Sequence, residues 1–233
     1  MVRLAEARDD GVGSDPPYLY EDYVSTRLRA PRRRLLVLPP TPDEAAGPVY
    51  GEGLVEDADA DLTSRGQGRP LGQLIVVSGR VLEEDGRPVR DSLVEIWQAN
   101  SAGRYQHDAD RHDAPLDPNF DGAGRSVTDS EGRYRFVTVK PGSYPWRNHS
   151  NAWRPAHIHF SLFGRAFSQR LVTQMYFPDD PLFPYDPIFN SVRDAKARRL
   201  LVSSFDLETT IPDHALGFRF DIVLRRTPFE ESE

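Results

Sequence analysis

The chain has 233 residues, a formal net charge of −7 and no cysteine. The absence of cysteine excludes disulfides, iron–sulfur clusters, thiolate-bound zinc and cysteine nucleophiles. The acidic balance disfavours nucleic acid and anionic membranes as partners, and no apolar run is long enough for a membrane-spanning helix.

Residues 1–72 are predicted to form an N-terminal arm followed by an extended connection. Residues 1–20 are polar, residues 27–34 contain a cluster of arginines, and residues 39–72 are rich in Pro, Gly and Asp. Long connections in compact proteins are often functional, and we expect this region to contact a partner chain. Residues 1–10 lack the apolar segment of a secretory signal, so a cytoplasmic location is expected.

Strand patterns begin at residue 74 and recur up to residue 224. They occupy residues 74–82, 92–97, 134–139, 156–163, 171–177 and 217–224, between turns rich in Gly, Pro and Asp. The first two segments are predicted to pair as a hairpin. One helix is predicted after Ser191, with Asp194 in its capping signature and an apolar stripe that runs to Phe205. These patterns predict an all-β fold, a β-sandwich at residues 73–226 with long loops, one short helix and a charged tail at residues 227–233.

The strand at residues 156–163 carries two histidines on one face. Its alternation places Ile158 and Phe160 towards the core and His157 and His159 on the opposite side. Two imidazoles that lie two residues apart on a rigid strand can both reach one metal ion. A half-exposed polar face is the simpler interpretation of the same pattern.

The oxygen donors available to such a metal are phenols rather than carboxylates. Zinc or Fe(II) requires a nearby carboxylate or a third histidine, and residues 160–170 contain no acid. Tyr105 and Tyr144 lie in loops, and phenolate oxygens suit a hard trivalent cation. The set is compatible with Fe(III), although the spacing does not establish it because Tyr105 is distant in sequence.

Seven sequence runs carry a family resemblance: LVEIWQAN at 93–100, GRY at 103–105, APLDPNF at 114–120, YPWR at 144–147, WRPAHIHF at 153–160, PLFPYDPI at 181–188 and FRFDIVL at 218–224. Together they resemble the intradiol ring-cleaving dioxygenases. The likeness extends over roughly residues 22–224. It is greatest to the iron-bearing β subunits of the branch that cleaves protocatechuate.

The resemblance implies a non-haem Fe(III) centre held by Tyr105, Tyr144, His157 and His159. It implies cleavage of protocatechuate with O2 between the two hydroxyl-bearing carbons, which yields 3-carboxy-cis,cis-muconate. Tyr144 would leave the metal when substrate arrives and carry off a catechol proton. Arg154 would stabilise negative charge that develops on the ring.

The resemblance also implies a substrate wall and a partner. The substrate-binding residues would be Tyr23, Trp97, Trp146, Arg147, Gln174 and Ile188. Arg147 is a candidate for the substrate carboxylate. An iron-free α subunit would complete the active site, and the αβ units would assemble into a larger hetero-oligomer. Residues 73–226 would then be the catalytic domain.

Two alternatives follow from the same sequence. An intradiol enzyme acting on catechol or hydroxyquinol usually carries a long helical N-terminal region, whereas residues 1–72 are rich in Pro and Gly. Residues 79–89 and 128–144 also resemble prealbumin-like sandwich modules, which bind ligands without a metal. The combination of two loop tyrosines with the histidine pair distinguishes the enzyme from such a module.

Overall fold

The structure is a computed structural model that describes residues 16–33, 55–147, 153–163 and 170–224. The backbone of two short strands before residue 38 is also described. The predicted tail at residues 227–233 and much of the predicted N-terminal arm and connection lie outside the described residues.

Strands make up most of the regular structure. In the described part of the chain they are β1 (Arg3–Leu4), β2 (Leu36–Val37), β3 (Leu74–Glu83), β4 (Leu93–Trp97), β5 (Ala123–Val127), β6 (Arg133–Val139), β7 (Tyr144–Pro145), β8 (Trp153–Arg154), β9 (His157–Phe163), β10 (Arg170–Tyr176), β11 (Ser204–Phe205), β12 (Leu216–Arg219) and β13 (Ile222–Leu224). The helices there are α1 (Thr26–Arg29), α2 (Pro187–Ser191) and α3 (Ala195–Arg199), with 3₁₀ turns at Asp57–Ala60 and Phe183–Tyr185. No described helix has the length and apolarity to span a membrane. The cytoplasmic location stays a prediction.

Two sheets contain the longer strands. The first has four antiparallel strands in the order β10-β9-β4-β5. The second is built on β3, which pairs antiparallel with β6 and parallel with both β12 and β13, and β11 extends it beyond β12. This arrangement confirms the predicted β-sandwich.

The core lies between the two sheets. Ile158, Phe160 and Leu162 of β9 are each 0% exposed, as the alternation predicts. The Phe160 ring centroid lies 6.5 Å from that of Phe136 on β6 and 5.3 Å from that of Phe220 beyond β12. Because β9 alternates, its two histidines point away from this core.

The predicted hairpin between the first two strands is wrong. β3 pairs with β6, whereas β4 pairs with β5 and β9 in the other sheet. The chain folds back only briefly, since the Val89 amide still donates to the Val81 carbonyl at 2.9 Å. Asp91 then adopts a φ of 52°, and the chain crosses to the opposite layer. There Val94 and Ile96 bury their side chains in the common core.

The last predicted strand, residues 217–224, is divided into β12 and β13. Phe220 and Asp221 separate the two pieces. The Phe220 amide donates to the Ser78 carbonyl at 2.8 Å, and its carbonyl accepts a hydrogen bond from the buried Tyr134 hydroxyl. These contacts interrupt the ladder without changing which side chains face the core.

The single predicted helix is replaced by α2 and α3. Asp194 caps α3, since its carboxylate accepts hydrogen bonds from the amides of Lys196 at 2.9 Å and Ala197 at 3.3 Å. Ser191 is the last residue of α2. Phe205 belongs to β11 and is 53% exposed, so its place in the predicted apolar stripe is wrong.

Strand β5 was not predicted, because its sequence AGRSV lacks a β-branched alternation. Gly124 is required there, since a Cβ atom would lie 2.5 Å from a methyl carbon of Leu62. Leu62 is 0% exposed, and its amide donates to the Val137 carbonyl at 2.9 Å. Part of the predicted connection therefore packs into the core.

Replacing Ile158 by alanine is expected to lower the free energy of unfolding by about 2–5 kcal/mol, because it leaves a cavity between the sheets. Val172→Ala is the control on neighbouring β10, where Val172 is 54% exposed. It is expected to change stability by about 0.5 kcal/mol or less. Urea unfolding followed by tryptophan fluorescence measures both, and equal losses would contradict the assignment of the buried face.

Candidate metal centre and active site

His157 is held in one orientation and one tautomer on β9. It is 1% exposed, and its Nδ1 donates a hydrogen bond to the Pro155 carbonyl at 2.7 Å. The other ring nitrogen, Nε2, therefore carries the lone pair. A backbone carbonyl that receives Nδ1–H in this way is a common support for a metal-binding histidine.

His159 lies between side chains from the two neighbouring strands. Its ring stacks on Trp97 of β4 with a centroid separation of 4.8 Å and an interplanar angle of 4°. On the β10 side, Gln174 Nε2 lies 3.4 Å from His159 Nδ1. The ladder positions Trp97 and Gln174 directly opposite His159, so the sheet itself orients this imidazole.

Tyr144 reaches the histidines through a two-residue ladder. In the pairing of β7 with β8, Tyr144 lies opposite Arg154. The Tyr144 hydroxyl lies 3.2 Å from His157 Nε2 and accepts a hydrogen bond from Arg154 Nη1 at 3.3 Å. The turn that the sequence placed before Tyr144 therefore delivers a phenol to the face of β9.

Tyr105 enters the site from the loop between β4 and β5. Asn100 Oδ1 accepts hydrogen bonds from two amides of this loop, each at 2.9 Å. Gly103 has a φ of 79°, and a Cβ there would collide with the Ser143 carbonyl. The loop thus passes directly against the residue before Tyr144, and the ring centroids of Tyr105 and Tyr144 lie 5.3 Å apart.

The four residues predicted as metal ligands are brought together. The His157 and His159 centroids lie 4.9 Å apart, and the Tyr105 centroid lies 6.3 Å from that of His159. The Tyr105 hydroxyl is buried beside Tyr144, but it makes no hydrogen bond of normal geometry within the described part of the chain. A buried hydroxyl without such a bond is rare and calls for a ligand or ion, and a cation would satisfy it.

The two imidazoles and the Tyr105 phenol are uncharged without a metal. Burial, and then the nearby Arg154 charge, lowers the pKa of His159 to about 3 and that of His157 well below its usual range. Burial and then Tyr144 raise the pKa of Tyr105. Neutral imidazoles are the form that binds a metal, and a trivalent cation would ionise the phenols.

The donor set suits a ferric ion. Across residues 16–33, 55–147, 153–163 and 170–224, no three His, Asp or Glu side chains converge as a metal-binding group. The available donors are therefore two imidazoles and two phenols. Hard phenolate oxygens match Fe(III) better than the softer divalent metals.

A buried ion pair adjoins the cluster. Arg154 is 2% exposed, and its Nη2 lies 2.8 Å from Oδ2 of the fully buried Asp186. Nη2 also donates to Gln174 Oε1 at 2.7 Å and to the Tyr176 hydroxyl at 3.0 Å. Nη1 lies 3.0 Å from His157 Nε2, so the guanidinium directly contacts one of the four predicted ligands.

Arg154 is a permanent cation in this setting. Burial alone would lower the pKa of Arg154, but the neighbouring Tyr176 and Asp186 outweigh it and raise that pKa. A buried charge of this kind needs a partner of opposite sign, and Asp186 supplies it.

Asp186 and Tyr176 were not predicted as site residues. The alternation of β10 could have revealed Tyr176, because it shares a face with Gln174 and lies opposite His157 in the ladder. The resemblance at residues 181–188 includes Asp186, but it assigned no role to this residue. Asp186 lies in a loop rich in Pro and Asp, a composition typical of exposed turns.

The residues predicted to contact substrate are distributed unevenly. The rings of Tyr23 and Trp146 meet edge to face at 5.1 Å, and the Arg154 guanidinium lies 5.3 Å from the Trp146 ring centroid. Ile188 lies in α2 and is partly buried. Arg147 is exposed, and the structure does not bring it into the buried group.

Comparison with known proteins identifies the family. A family model described as "Dioxygenase" matches residues 45–226, and one described as "Protocatechuate 3,4-dioxygenase beta subunit N terminal" matches residues 7–41. The chain belongs to the intradiol dioxygenase family. It is an aromatic ring-cleaving enzyme, and members of its family generally use non-haem iron.

Individual relatives support this assignment. This intradiol dioxygenase is 59% identical over 222 residues to a protocatechuate 3,4-dioxygenase beta chain from Burkholderia cepacia, covering 93% of this chain and 94% of the relative. It is 31% identical over 195 residues to a protocatechuate 3,4-dioxygenase alpha chain from Pseudomonas putida, covering 80% and 92%. The predicted family resemblance is confirmed, and the alternative of a non-catalytic module is not favoured.

A solved structure shows the same fold. The 3-chlorocatechol 1,2-dioxygenase of Rhodococcus opacus is 26% identical, with a TM-score of 0.56. The match covers 78% of this intradiol dioxygenase and 71% of that chain.

The stability of the metal-free protein is expected to fall as the pH decreases from 7 to 5. His159 has a pKa of about 3 when folded and 6.5 as a free side chain, so the unfolded state binds the proton first. Its contribution is present above pH 6.5 and is lost below it, by about 2 kcal/mol at pH 5. Denaturant unfolding across this pH range measures the effect.

The matched variants are His159→Gln and His214→Gln. His214 lies exposed in the turn before β12. The His159→Gln protein is expected to show a shallower pH dependence than wild type, and His214→Gln the same dependence as wild type. An unchanged slope in His159→Gln would contradict burial of a neutral imidazole.

Proposed function

We propose that this chain is the iron-bearing β subunit of a protocatechuate 3,4-dioxygenase. It would use O2 to open the ring of protocatechuate between its two hydroxyl-bearing carbons and form 3-carboxy-cis,cis-muconate. The observation that carries the proposal is the convergence of two phenols and two neutral imidazoles around the buried Tyr105 hydroxyl. The relative that is 59% identical is named a protocatechuate 3,4-dioxygenase beta chain.

The proposed ligands of Fe(III) are Tyr105, Tyr144, His157 and His159. When bound, Fe(III) would withdraw electron density from the diol anion and make its ring reactive towards O2. The two phenols would ionise on binding it and would offset two of its three charges. The imidazoles are already neutral at physiological pH, so they need no deprotonation.

Tyr144 is proposed to accept a proton from the diol. Its hydroxyl lies within reach of Arg154 Nη1, at 3.3 Å. A phenolate released from the metal would be stabilised there by the guanidinium until it takes up the proton. A phenol that leaves as substrate arrives thus couples binding to deprotonation.

Arg154 is proposed to stabilise negative charge on the ring during the reaction. It is buried and permanently charged, and a cation in a site of low dielectric acts strongly on developing charge. The aromatic side chains around it suit a flat substrate and exclude water. The proposed substrate-binding residues are Tyr23, Trp97, Trp146, Gln174 and Ile188, with Arg147 at the exposed rim for the carboxylate.

We infer that an iron-free α subunit completes the site, and that αβ units form a larger hetero-oligomer. The relative named as an alpha chain supports this inference. Residues 73–226 would form the catalytic domain and residues 1–72 would contact the partner. Tyr23, from that N-terminal region, packs against Trp146, so the region already borders the proposed site.

The first test is the visible spectrum of the iron-loaded chain produced together with its α partner. Fe(III) bound by tyrosinate absorbs visible light strongly, and a red protein is expected. Protocatechuate added without oxygen is expected to shift the band, and air is expected to restore it as product forms. A red protein unaffected by protocatechuate would contradict the substrate, and a colourless iron-free protein would contradict the metal centre.

His159→Ala is expected to lose iron, because it removes one of the four proposed donors. Metal analysis of the purified protein measures the iron content per chain. His214→Ala, which removes an exposed histidine, is the control and is expected to retain iron. Full iron in the His159→Ala protein would show that the ligand assignment is wrong.

Tyr144→Phe is expected to retain iron but to slow substrate binding and turnover by about 100-fold, since it removes the proton acceptor. Anaerobic stopped-flow mixing with protocatechuate measures binding, and oxygen uptake measures turnover. Tyr185→Phe is the control, because Tyr185 is 59% exposed. Wild-type binding kinetics in Tyr144→Phe would exclude a role for this hydroxyl.

A further inference from the structure

Asp186 directs the Arg154 guanidinium. Its Oδ1 accepts from Nε at 3.3 Å and its Oδ2 accepts from Nη2 at 2.8 Å. The carboxylate thus contacts two nitrogens on one edge of the planar guanidinium. This fixes the plane and direction of the guanidinium as well as its position.

The remaining contacts separate the nitrogens by role. Nη2 also donates to Gln174 Oε1 at 2.7 Å and to the Tyr176 hydroxyl at 3.0 Å. The Tyr176 hydroxyl also lies 3.0 Å from Asp186 Oδ2, so the side chains of Arg154, Tyr176 and Asp186 all contact one another. Nε and Nη2 are therefore occupied by Asp186, Gln174 and Tyr176. Nη1 alone faces Tyr144 and His157.

Burial makes this orientation costly to change. The side chains of Arg154 and Asp186 are 2% and 0% exposed. A buried ion that has lost its partner of opposite charge strongly destabilises the fold. Neither side chain can therefore leave the pair alone. Asp186 is also anchored at the other side, where its Oδ1 accepts from the Ile188 amide at 3.0 Å and caps α2.

We propose that Asp186 is a positioning residue that aims Arg154 Nη1 at the substrate ring. The inference rests on the proposed function and extends it. By capping α2, the same carboxylate also holds Ile188, a proposed wall residue, in register with the guanidinium. Asp186 itself touches neither the metal-binding residues nor the proposed substrate position through any contact described.

The test compares Asp186→Asn with Asp194→Asn in the iron-loaded complex. Asparagine keeps the size and capping ability of aspartate but removes its charge. Asp194 caps the five-residue α3 in the same way that Asp186 caps α2, so it controls for the loss of a capping carboxylate. Iron content, the tyrosinate absorption band, kcat and KM are measured for each protein.

Asp186→Asn is expected to retain iron and to keep KM within about threefold, while kcat falls about 100-fold. Its absorption band is expected to shift, because Tyr144 loses a hydrogen bond of fixed direction. Asp194→Asn is expected to match wild type in all four measurements. A purely structural role would lower iron content and stability without this separation of kcat from KM.

A double-mutant comparison covers the case in which Asp186→Asn fails to fold. Arg154→Met and Arg154→Met/Asp186→Asn are expected to have equal kcat, because asparagine keeps the cap of α2 and the charge of Asp186 acts on the reaction through Arg154. The double variant has no buried charge at this position, which favours folding. If adding Asp186→Asn to Arg154→Met lowered kcat further, the inference would be wrong. It would also be wrong if the Asp186→Asn single variant had the kcat and the absorption band of wild type.

The same measurements separate this inference from the proposed function. A wild-type complex without iron or without protocatechuate cleavage would contradict the proposed function itself. An active wild type with an indifferent Asp186→Asn variant would contradict only the positioning role.

Discussion

Burial of β9 on both faces is the constraint on which the rest of the site depends. A strand in an antiparallel sheet commonly packs one face on the core and leaves the other to solvent. Here Phe160 is 0% exposed on the core side, and His157 and Ser161 are each 1% exposed on the opposite side. That second face is covered by loops, and these loops must carry a partner for the His157 imidazole, which cannot reach water.

Electrostatics follows from this burial. The two imidazoles are neutral and the Tyr105 phenol is protonated, and the adjacent Arg154 and Asp186 cancel each other as a buried pair. Such a cluster carries little net charge until a cation arrives. The proposed ionisation of the phenols on metal binding would then match the charge of the site to that of the metal. Ligands that were already charged in the dry interior would be unfavourable.

Strands and loops contribute differently to the site. The pairing of β9 with β4 and β10 fixes His159 between Trp97 and Gln174. The phenols arrive on loops whose paths are set by short-range constraints, the positive φ of Gly103 and the two-residue pairing that contains Tyr144. Imidazoles fixed on a strand and phenols held on loops are consistent with the proposed reaction, in which Tyr144 changes its contacts.

The sequence by itself determined the features that depend on neighbouring residues. Alternation identified the two faces of β9, and the family resemblance selected the ligand set that the structure brings together. The sequence did not determine the sheet partners of β3 and β4 or the break between β12 and β13. It also missed the pairing of Arg154 with Asp186, which lie 32 residues apart. Strand pairing and charge burial are decided between segments distant in sequence, so only the tertiary structure could reveal them.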